Sequence, residues 1–208
     1  RLIDRIGPQA IAVLQGAALA GGYDVFRQSN EFYYLSGIEV PHAYLLLDGR
    51  RRRSVLFLPE HNPKLEEVEG PVLCVRDAEA AIRVSGVDEV RSLLDLSLSL
   101  GSAREIYSPF SPAEGFRQCR GTLKAAQRAV EADPWDSRLS RESHFLQRLA
   151  TTISGIEMRD LTPLLDELRL VKSRAELEAM RRVGRMTARA ITEAMRCCRP
   201  GLKEYQLA

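Results

Sequence analysis

The sequence predicts an α/β fold in which a mixed sheet is flanked by helices, and three observations carry this prediction. Short apolar runs alternate along the chain with stretches of helical periodicity, which is the pattern of a layered α/β architecture. Two of these runs are joined through an Asp48-Gly49 turn signal, so they form a hairpin and the sheet is not purely parallel. The 208 residues are 45% hydrophobic and 28% charged, which indicates a globular chain with a core.

The strands are predicted from short apolar runs bounded by Gly, Pro or Asp. The first run lies between Pro8 and Gly16 and is typical of a buried strand. The predicted strands are Ala10–Leu14, Ala43–Leu47, Val55–Leu58, Val72–Val75, Glu105–Tyr107 and Ile156–Arg159. The stretch from Glu60 to Gly70 is polar and contains a proline, so it is predicted to be a loop.

The helices are predicted from capping residues followed by apolar positions three or four apart. Ser29 or Asn30 can accept a hydrogen bond from an early backbone N–H, and Gly37 can adopt the positive φ that ends a short helix. Ser173 and Glu176 form a capping box before the longest helical pattern in the chain. The predicted helices are residues 1–6, Glu31–Ser36, Ala78–Val84, Asp88–Leu98, Thr122–Ala132, Glu142–Thr152, Leu164–Leu170, a long helix that begins at Arg174 and ends before Pro200, and Lys203–Ala208.

Charge and hydropathy argue against nucleic-acid and membrane partners. The net charge is +2, from 30 basic and 28 acidic residues, which creates no field that would recruit nucleic acid or a lipid surface. No apolar run approaches the roughly 20 residues that span a bilayer, and the first residues lack the apolar core of a signal peptide. We therefore expect a cytoplasmic protein.

The four cysteines do not form paired Cys-x-x-Cys units, so the spacing offers no zinc-ribbon geometry. We expect buried or half-buried free thiols at Cys74, Cys119, Cys197 and Cys198.

Several residues have both a functional and a structural interpretation. The histidines, His42, His61 and His144, lack a second histidine at ligand spacing, so we expect them to be solvated or locally hydrogen-bonded. The Arg50–Arg53 run is either a phosphate-binding patch or, as we prefer, a solvated hairpin turn. Tyr33 and Tyr34 either line a peptide cleft or, as we prefer, pack in the core.

Two blocks of residues resemble one family. The first block is FRQSNEFYYLSGIEVPHAYLLL, from Phe26 to Leu47. The second begins with LRLVKS at Leu168, continues through Glu176 and the long helix, and closes with CRPG from Cys198 and the pair Glu204-Tyr205. Together they resemble aminopeptidase P, of the creatinase and prolidase group of metallopeptidases. Two blocks in the family's order are a far more specific signal than either one alone.

The resemblance implies an amino-terminal domain at residues 1–160 and, at residues 161–208, a linker helix with the first helices of a truncated pita-bread α+β catalytic domain. It implies a metal-dependent Xaa-Pro aminopeptidase with two divalent metal ions, manganese being expected. The family's ligands are two aspartates, a histidine and two glutamates, and all five are expected beyond Ala208. No catalytic or metal-binding residue is therefore assigned within this chain, the substrate-binding residues are unknown, and the 208 residues alone are expected to be inactive.

The resemblance also implies partners: peptides with proline at position two, and further copies of the chain in a dimer or tetramer. One departure stands out, because Val68 occupies a position where some members carry a tryptophan, which puts a stacking contact to the peptide in doubt. Two alternatives stay open. One is a pseudo-peptidase that binds peptides or histones, as in the FACT histone chaperone, and the other is prolidase or creatinase activity on the same scaffold.

Overall fold

The computed structural model describes residues 1–19, 25–101, 103–115, 118–136, 138–153 and 155–207. The chain forms two compact units, residues 1–166 and 167–208. The domain boundary expected between residues 160 and 161 stays a prediction.

The first unit is built on a six-stranded mixed sheet, which confirms the predicted fold class. Its strands are β1 (Ala10–Gln15), β2 (Tyr44–Asp48), β3 (Arg53–Leu58), β4 (Glu89–Ser92), β5 (Glu105–Ser108) and β6 (Glu157–Asp160). Their order across the sheet is β4-β3-β2-β1-β5-β6. Strand β2 runs antiparallel to β1 and β3, whereas the pairs β1/β5, β3/β4 and β5/β6 are parallel.

The helices of the first unit precede, connect or follow these strands. They are α1 (Leu2–Ile6), α2 (Asn30–Ser36), α3 (Pro63–Glu69), α4 (Ala78–Ser85), α5 (Leu96–Leu100), α6 (Arg120–Ala132), α7 (Arg141–Thr152) and α8 (Thr162–Leu170), whose last turn enters the second unit. The second unit contains α9 (Arg174–Cys197), and the predicted capping box is present: Ser173 Oγ accepts from Glu176 N, and the Glu176 carboxylate accepts from Ser173 N.

The central strands are buried on both faces. Alternate residues of a strand point to opposite faces of the sheet, and Val13, Leu46, Val55 and Phe57 form one cluster together with Leu149 of α7. The residues between them are buried as well, among them Leu14, Leu45, Leu47, Leu56 and Leu58. The sheet is therefore the middle layer of the unit.

The helix predicted at Asp88–Leu98 is wrong. Residues 89–92 form β4, a 3-10 turn follows at Leu93–Asp95, and only Leu96–Leu100 is α-helical. The backbone of β4 pairs with β3 in parallel, and this pairing prevails over the local helical spacing. Leu93 packs against the core cluster, but Leu94, which the helical spacing placed on the same face, is 79% exposed.

Three other predicted elements also differ. Residues 72–75 form no strand, because β4 occupies the position beside β3. The predicted loop over residues 60–70 contains α3, which begins at Pro63 and is capped by Asn62, whose side-chain oxygen accepts from Leu65 N. The helix predicted at Lys203–Ala208 is a single 3-10 turn at Glu204–Gln206, and Ala208 lies outside the described residues.

The β2–β3 hairpin forms as predicted, and Asp48 organises its turn. The Asp48 side chain is 1% exposed and accepts hydrogen bonds from Arg50 N at 2.9 Å and Arg51 N at 3.1 Å. The Arg50 guanidinium also donates to both of its oxygens. The next two arginines pair elsewhere, Arg52 with Asp4 and Arg53 with Glu89. The run therefore balances its charge against nearby carboxylates, which favours the turn over a phosphate patch.

Asp48 makes the stability of the first unit depend on pH. Burial alone would raise the pKa of Asp48, but the hydrogen bonds from Arg50 and Arg51 outweigh it and hold the pKa below its usual value. A carboxyl with a lowered pKa stabilises the fold above its unfolded-state pKa, near 3.9, and this contribution is lost as pH falls through the folded-state pKa.

We therefore expect Asp48→Asn to lower the free energy of unfolding at pH 6, with the difference from wild type narrowing toward pH 2. Urea unfolding at both pH values measures it. Glu60→Gln removes an exposed carboxylate near the hairpin and serves as the control. If Asp48→Asn lowers the free energy of unfolding by the same amount at both pH values, the assigned role is contradicted.

Candidate crevice at a switch point of the sheet

A large cavity of the first unit lies at the carboxyl ends of β1 and β5. These parallel neighbours end at Gln15 and Ser108, and both residues line the cavity. After β1 the chain crosses toward β2 on one side, and after β5 it crosses toward β6 on the other. Such a switch point leaves a crevice outside the strand ends, where α/β proteins commonly bind ligands. We call this cavity, of about 760 Å³, the switch-point crevice.

A compact turn after β1 forms one side of the crevice. Gly16 N donates to Ala43 O at 2.8 Å, and a Cβ at Gly16 would lie 2.8 Å from that same oxygen, so the close approach requires glycine. The buried Gln28 side chain holds the turn to the chain before α2. Its Nε2 donates to Val40 O at 3.0 Å, and its Oε1 accepts from Ala17 N and Ser29 N.

The opposite wall is the amino-terminal part of α7. Ser140 caps this helix by accepting from Ser143 N at 3.1 Å. Arg141 Nη1 then donates to Gly16 O at 2.6 Å, which ties α7 to the end of β1. Phe145, one turn further on, packs against Tyr44 with ring centroids 5.4 Å apart. The wall thus presents the Arg141 cation and the Phe145 ring, and each of these side chains also holds α7 against the sheet.

Arg141 is a half-buried cation, and no carboxylate of the described residues lies within 4.0 Å of its guanidinium. Burial lowers the pKa of Arg141, and attraction from Tyr44 and Glu142 opposes this only in part. Glu142 also lines the crevice. Another lining cation, Arg27, is already paired with Glu39 at 2.8 Å.

A second, small cavity of about 20 Å³ adjoins the same residues. Gln15 and Ser29 line both cavities, and Arg120 lines only the small one. Three buried atoms here have no hydrogen-bond partner among the described residues: Gln15 Oε1, Ser29 Oγ and Arg120 Nε. The small cavity is about the size of one water molecule.

Beyond the small cavity, Arg120 joins α2, α6 and α8. It donates to Glu31 Oε1 at 3.3 Å and to the two Asp166 oxygens at 2.7 and 3.0 Å. Glu31 is 4% exposed, and its other oxygen accepts from Glu114 N at 3.1 Å. The hydrogen bonds and charge of Asp166, and to a smaller extent those of Glu31, raise the pKa of Arg120, so the guanidinium stays charged. Sequence patterns alone did not single out this network.

The residues weighed from the sequence lie elsewhere. As predicted, the histidines are locally bonded or solvated: His42 Nε2 accepts from Leu19 N, His61 contacts Glu66, and His144 is exposed. Tyr33 is 50% exposed, so its predicted core position is wrong, and Tyr34 is half-buried. The aromatic residue that α2 buries is instead Phe32.

The cysteine prediction holds only for Cys74, which is buried. Cys119, Cys197 and Cys198 are exposed free thiols. Within the described residues, no group of three or more His, Cys, Asp or Glu side chains is arranged to hold a metal ion. The described residues therefore do not form a site for the two divalent ions, whose ligands the resemblance implies beyond Ala208. No helix in the described part of the chain has the length and apolar character needed to cross a bilayer.

The chain is similar in sequence to a known family of proteins. The family model described as "Aminopeptidase P, N-terminal domain" matches residues 1–107, half of the chain. The chain belongs to this family. Among relatives of the aminopeptidase P domain, the Xaa-Pro aminopeptidase of Haemophilus influenzae is 29% identical over 184 residues and that of Escherichia coli is 30% identical over 185. Each alignment covers 88% of this chain but only 36% and 38% of the respective relative.

A solved aminopeptidase P has the same architecture. Zinc-substituted E. coli aminopeptidase P in complex with product superimposes with a TM-score of 0.71 at 25% identity. The match covers 99% of this chain and 45% of that structure. The present chain therefore spans less than half of the relatives it matches.

Proposed function

We propose that this chain is the amino-terminal, non-catalytic part of a metal-dependent Xaa-Pro aminopeptidase that releases the first residue from peptides with proline at position two. The observation that carries the proposal is the family match over residues 1–107, extended to 88% of the chain by relatives named Xaa-Pro aminopeptidases. A cytoplasmic location is part of the proposal.

The proposal places the metal chemistry outside these 208 residues. One similar structure is a zinc-substituted aminopeptidase P, which supports a divalent metal in that relative. The described residues here contain no cluster of metal ligands. We therefore propose that two divalent ions, with manganese as the expected metal, are held by residues beyond Ala208.

Two exposed surfaces support roles in assembly and in shaping the substrate cleft. Val68, the residue at the family's tryptophan position, is 80% exposed on α3, where it is available to a neighbouring molecule. Helix α9 exposes a row of apolar side chains at helical spacing, Leu177, Met180, Val183, Ile191 and Met195. Such a face is suited to packing against further protein, from the same chain or from another copy in a homo-oligomer.

The full-length protein from the source organism tests the proposal. With manganese supplied, we expect it to cleave the Xaa-Pro bond of a tripeptide and to leave a matched peptide with alanine in place of proline largely intact. A chelator should abolish the activity, and the 208-residue chain alone should have none. Turnover by the 208-residue chain would contradict our placement of the chemistry.

Further assays of the same full-length protein distinguish the alternative functions. An inactive full-length protein that lacks the five ligands and binds peptide or histone would indicate a pseudo-peptidase. Cleavage restricted to dipeptides would indicate a prolidase, and hydrolysis of creatine would indicate a creatinase.

A further inference from the structure

We propose that the switch-point crevice binds a small organic carboxylate with an apolar body, and that Arg141 is its counter-ion. Every residue that forms this site belongs to the first unit, and none of its proposed contacts involves a metal ion.

The shape and lining of the crevice fit a small ligand. Its volume of about 760 Å³ lies within the roughly 300 to 1,000 Å³ of typical ligand pockets. Much of its lining is apolar, including Val25, Pro109, Leu123 and Phe145. Ligands of α/β sheets commonly bind in the crevice at such a switch point, so position and size agree.

The charge of Arg141 selects the ligand's polar end. Its one hydrogen bond in the described structure goes to the neutral Gly16 carbonyl, and no described carboxylate lies within 4.0 Å. A half-buried guanidinium is stabilised by an anion, and carboxylates match its fork of donors. Arg141 is also the first residue of the twelve-residue helix α7, whose amino terminus favours negative charge.

Ser29 is an independent observation that points to a ligand. The residue is 5% exposed, it lines the crevice, and its Oγ has no partner among the described residues. It precedes α2 yet does not cap that helix with its side chain. A buried hydroxyl without a partner costs stability, and a carboxylate bound at Arg141 can provide that partner once rotation about the Ser29 Cα–Cβ bond turns the hydroxyl toward the crevice.

Glu142 limits the choice of ligand. Its carboxylate lines the same crevice and opposes a second negative charge. The site therefore suits a monocarboxylate whose remaining surface is apolar, and it disfavours dicarboxylates and phosphates.

Titration of the 208-residue chain with 3-phenylpropionate tests this proposal. We expect saturable amide shifts in NMR spectra at Gly16, Ser29 and Glu142. The neutral isostere 3-phenylpropionamide should bind at least about 10-fold more weakly, because it lacks the charge. Phenethylammonium, which reverses the charge, should not compete.

Three variants assign the residues. Arg141→Gln should weaken binding of 3-phenylpropionate by about 10-fold or more, and Ser29→Ala by about 3-fold or more. Arg148→Gln removes an exposed arginine from the same helix and should bind like wild type. If Arg141→Gln fails to fold, two measurements still test the proposal. They are the relative affinity of the wild type for 3-phenylpropionate and its amide, and the affinity of the Ser29→Ala variant for 3-phenylpropionate.

Equal affinity for the acid and the amide would overturn the proposal. So would wild-type binding by a folded Arg141→Gln variant, tighter binding of phenethylammonium, or no saturable shifts up to about 20 mM, where even a weak fragment binds. These outcomes do not bear on peptidase activity, which the 208-residue chain is expected to lack, so the two proposals fail separately.

Discussion

Phe57→Ala is expected to lower the free energy of unfolding of the first unit by about 3 to 5 kcal/mol, the usual cost of truncating a buried phenylalanine. Phe57 is fully buried on β3, between β2 and β4, and belongs to the cluster that also contains Leu46 and Val55. Removing the ring leaves a cavity in the middle layer, where strands on both sides limit collapse. Of the changes we consider, this one is expected to have the largest effect.

Urea unfolding measured by far-UV circular dichroism, together with amide exchange in β2, measures the loss. Phe110→Ala is the matched control: Phe110 is 45% exposed, and its truncation should cost less than about 1 kcal/mol. Equal costs for the two variants would contradict the central place of β3 in the core.

Arg120→Met is expected to cost about 2 to 4 kcal/mol, because it leaves the Glu31 carboxylate buried without its guanidinium. The Glu31 side chain is 6% exposed and that of Arg120 is 23% exposed, so the pair is less screened than a surface pair. The estimate is below the full cost of breaking a buried pair, since Asp166 is 46% exposed and remains solvated.

A double-mutant cycle tests the assignment. Adding Glu31→Gln to Arg120→Met neutralises the buried carboxylate that has lost the guanidinium, and it should recover part of the lost stability. Arg128→Met, an exposed substitution on the same helix α6, should be nearly neutral. Additive costs for Arg120→Met and Glu31→Gln would show that the two side chains do not interact.

Local chemistry made several elements predictable. The hairpin followed from the Asp48-Gly49 turn signal, and α9 followed from the Ser173 and Glu176 capping box. Gly37 ends α2 with φ of 65°, as predicted, although the predicted side-chain cap at the start of this helix is absent. In each case the deciding interactions lie within a few residues.

Prediction failed where distant partners decide the structure. Residues 89–92 have helical spacing with the leucines that follow, but their backbone pairs with β3, more than 30 residues earlier. Tyr33 belongs to an aromatic cluster in sequence, yet it is 50% exposed, whereas its neighbour Phe32 is fully buried. Local periodicity contains no information on which strand lies alongside.

The α/β class, the hairpin, the capping box of α9 and the resemblance to aminopeptidase P could all be read from the residues alone. The strand order, and with it the switch-point crevice, became clear only in the folded chain. The groups that meet there are far apart along the chain. Gly16 and Arg141 are 125 residues apart, and Glu31 and Arg120 are 89 apart, so a folded sheet is needed before either pair can form.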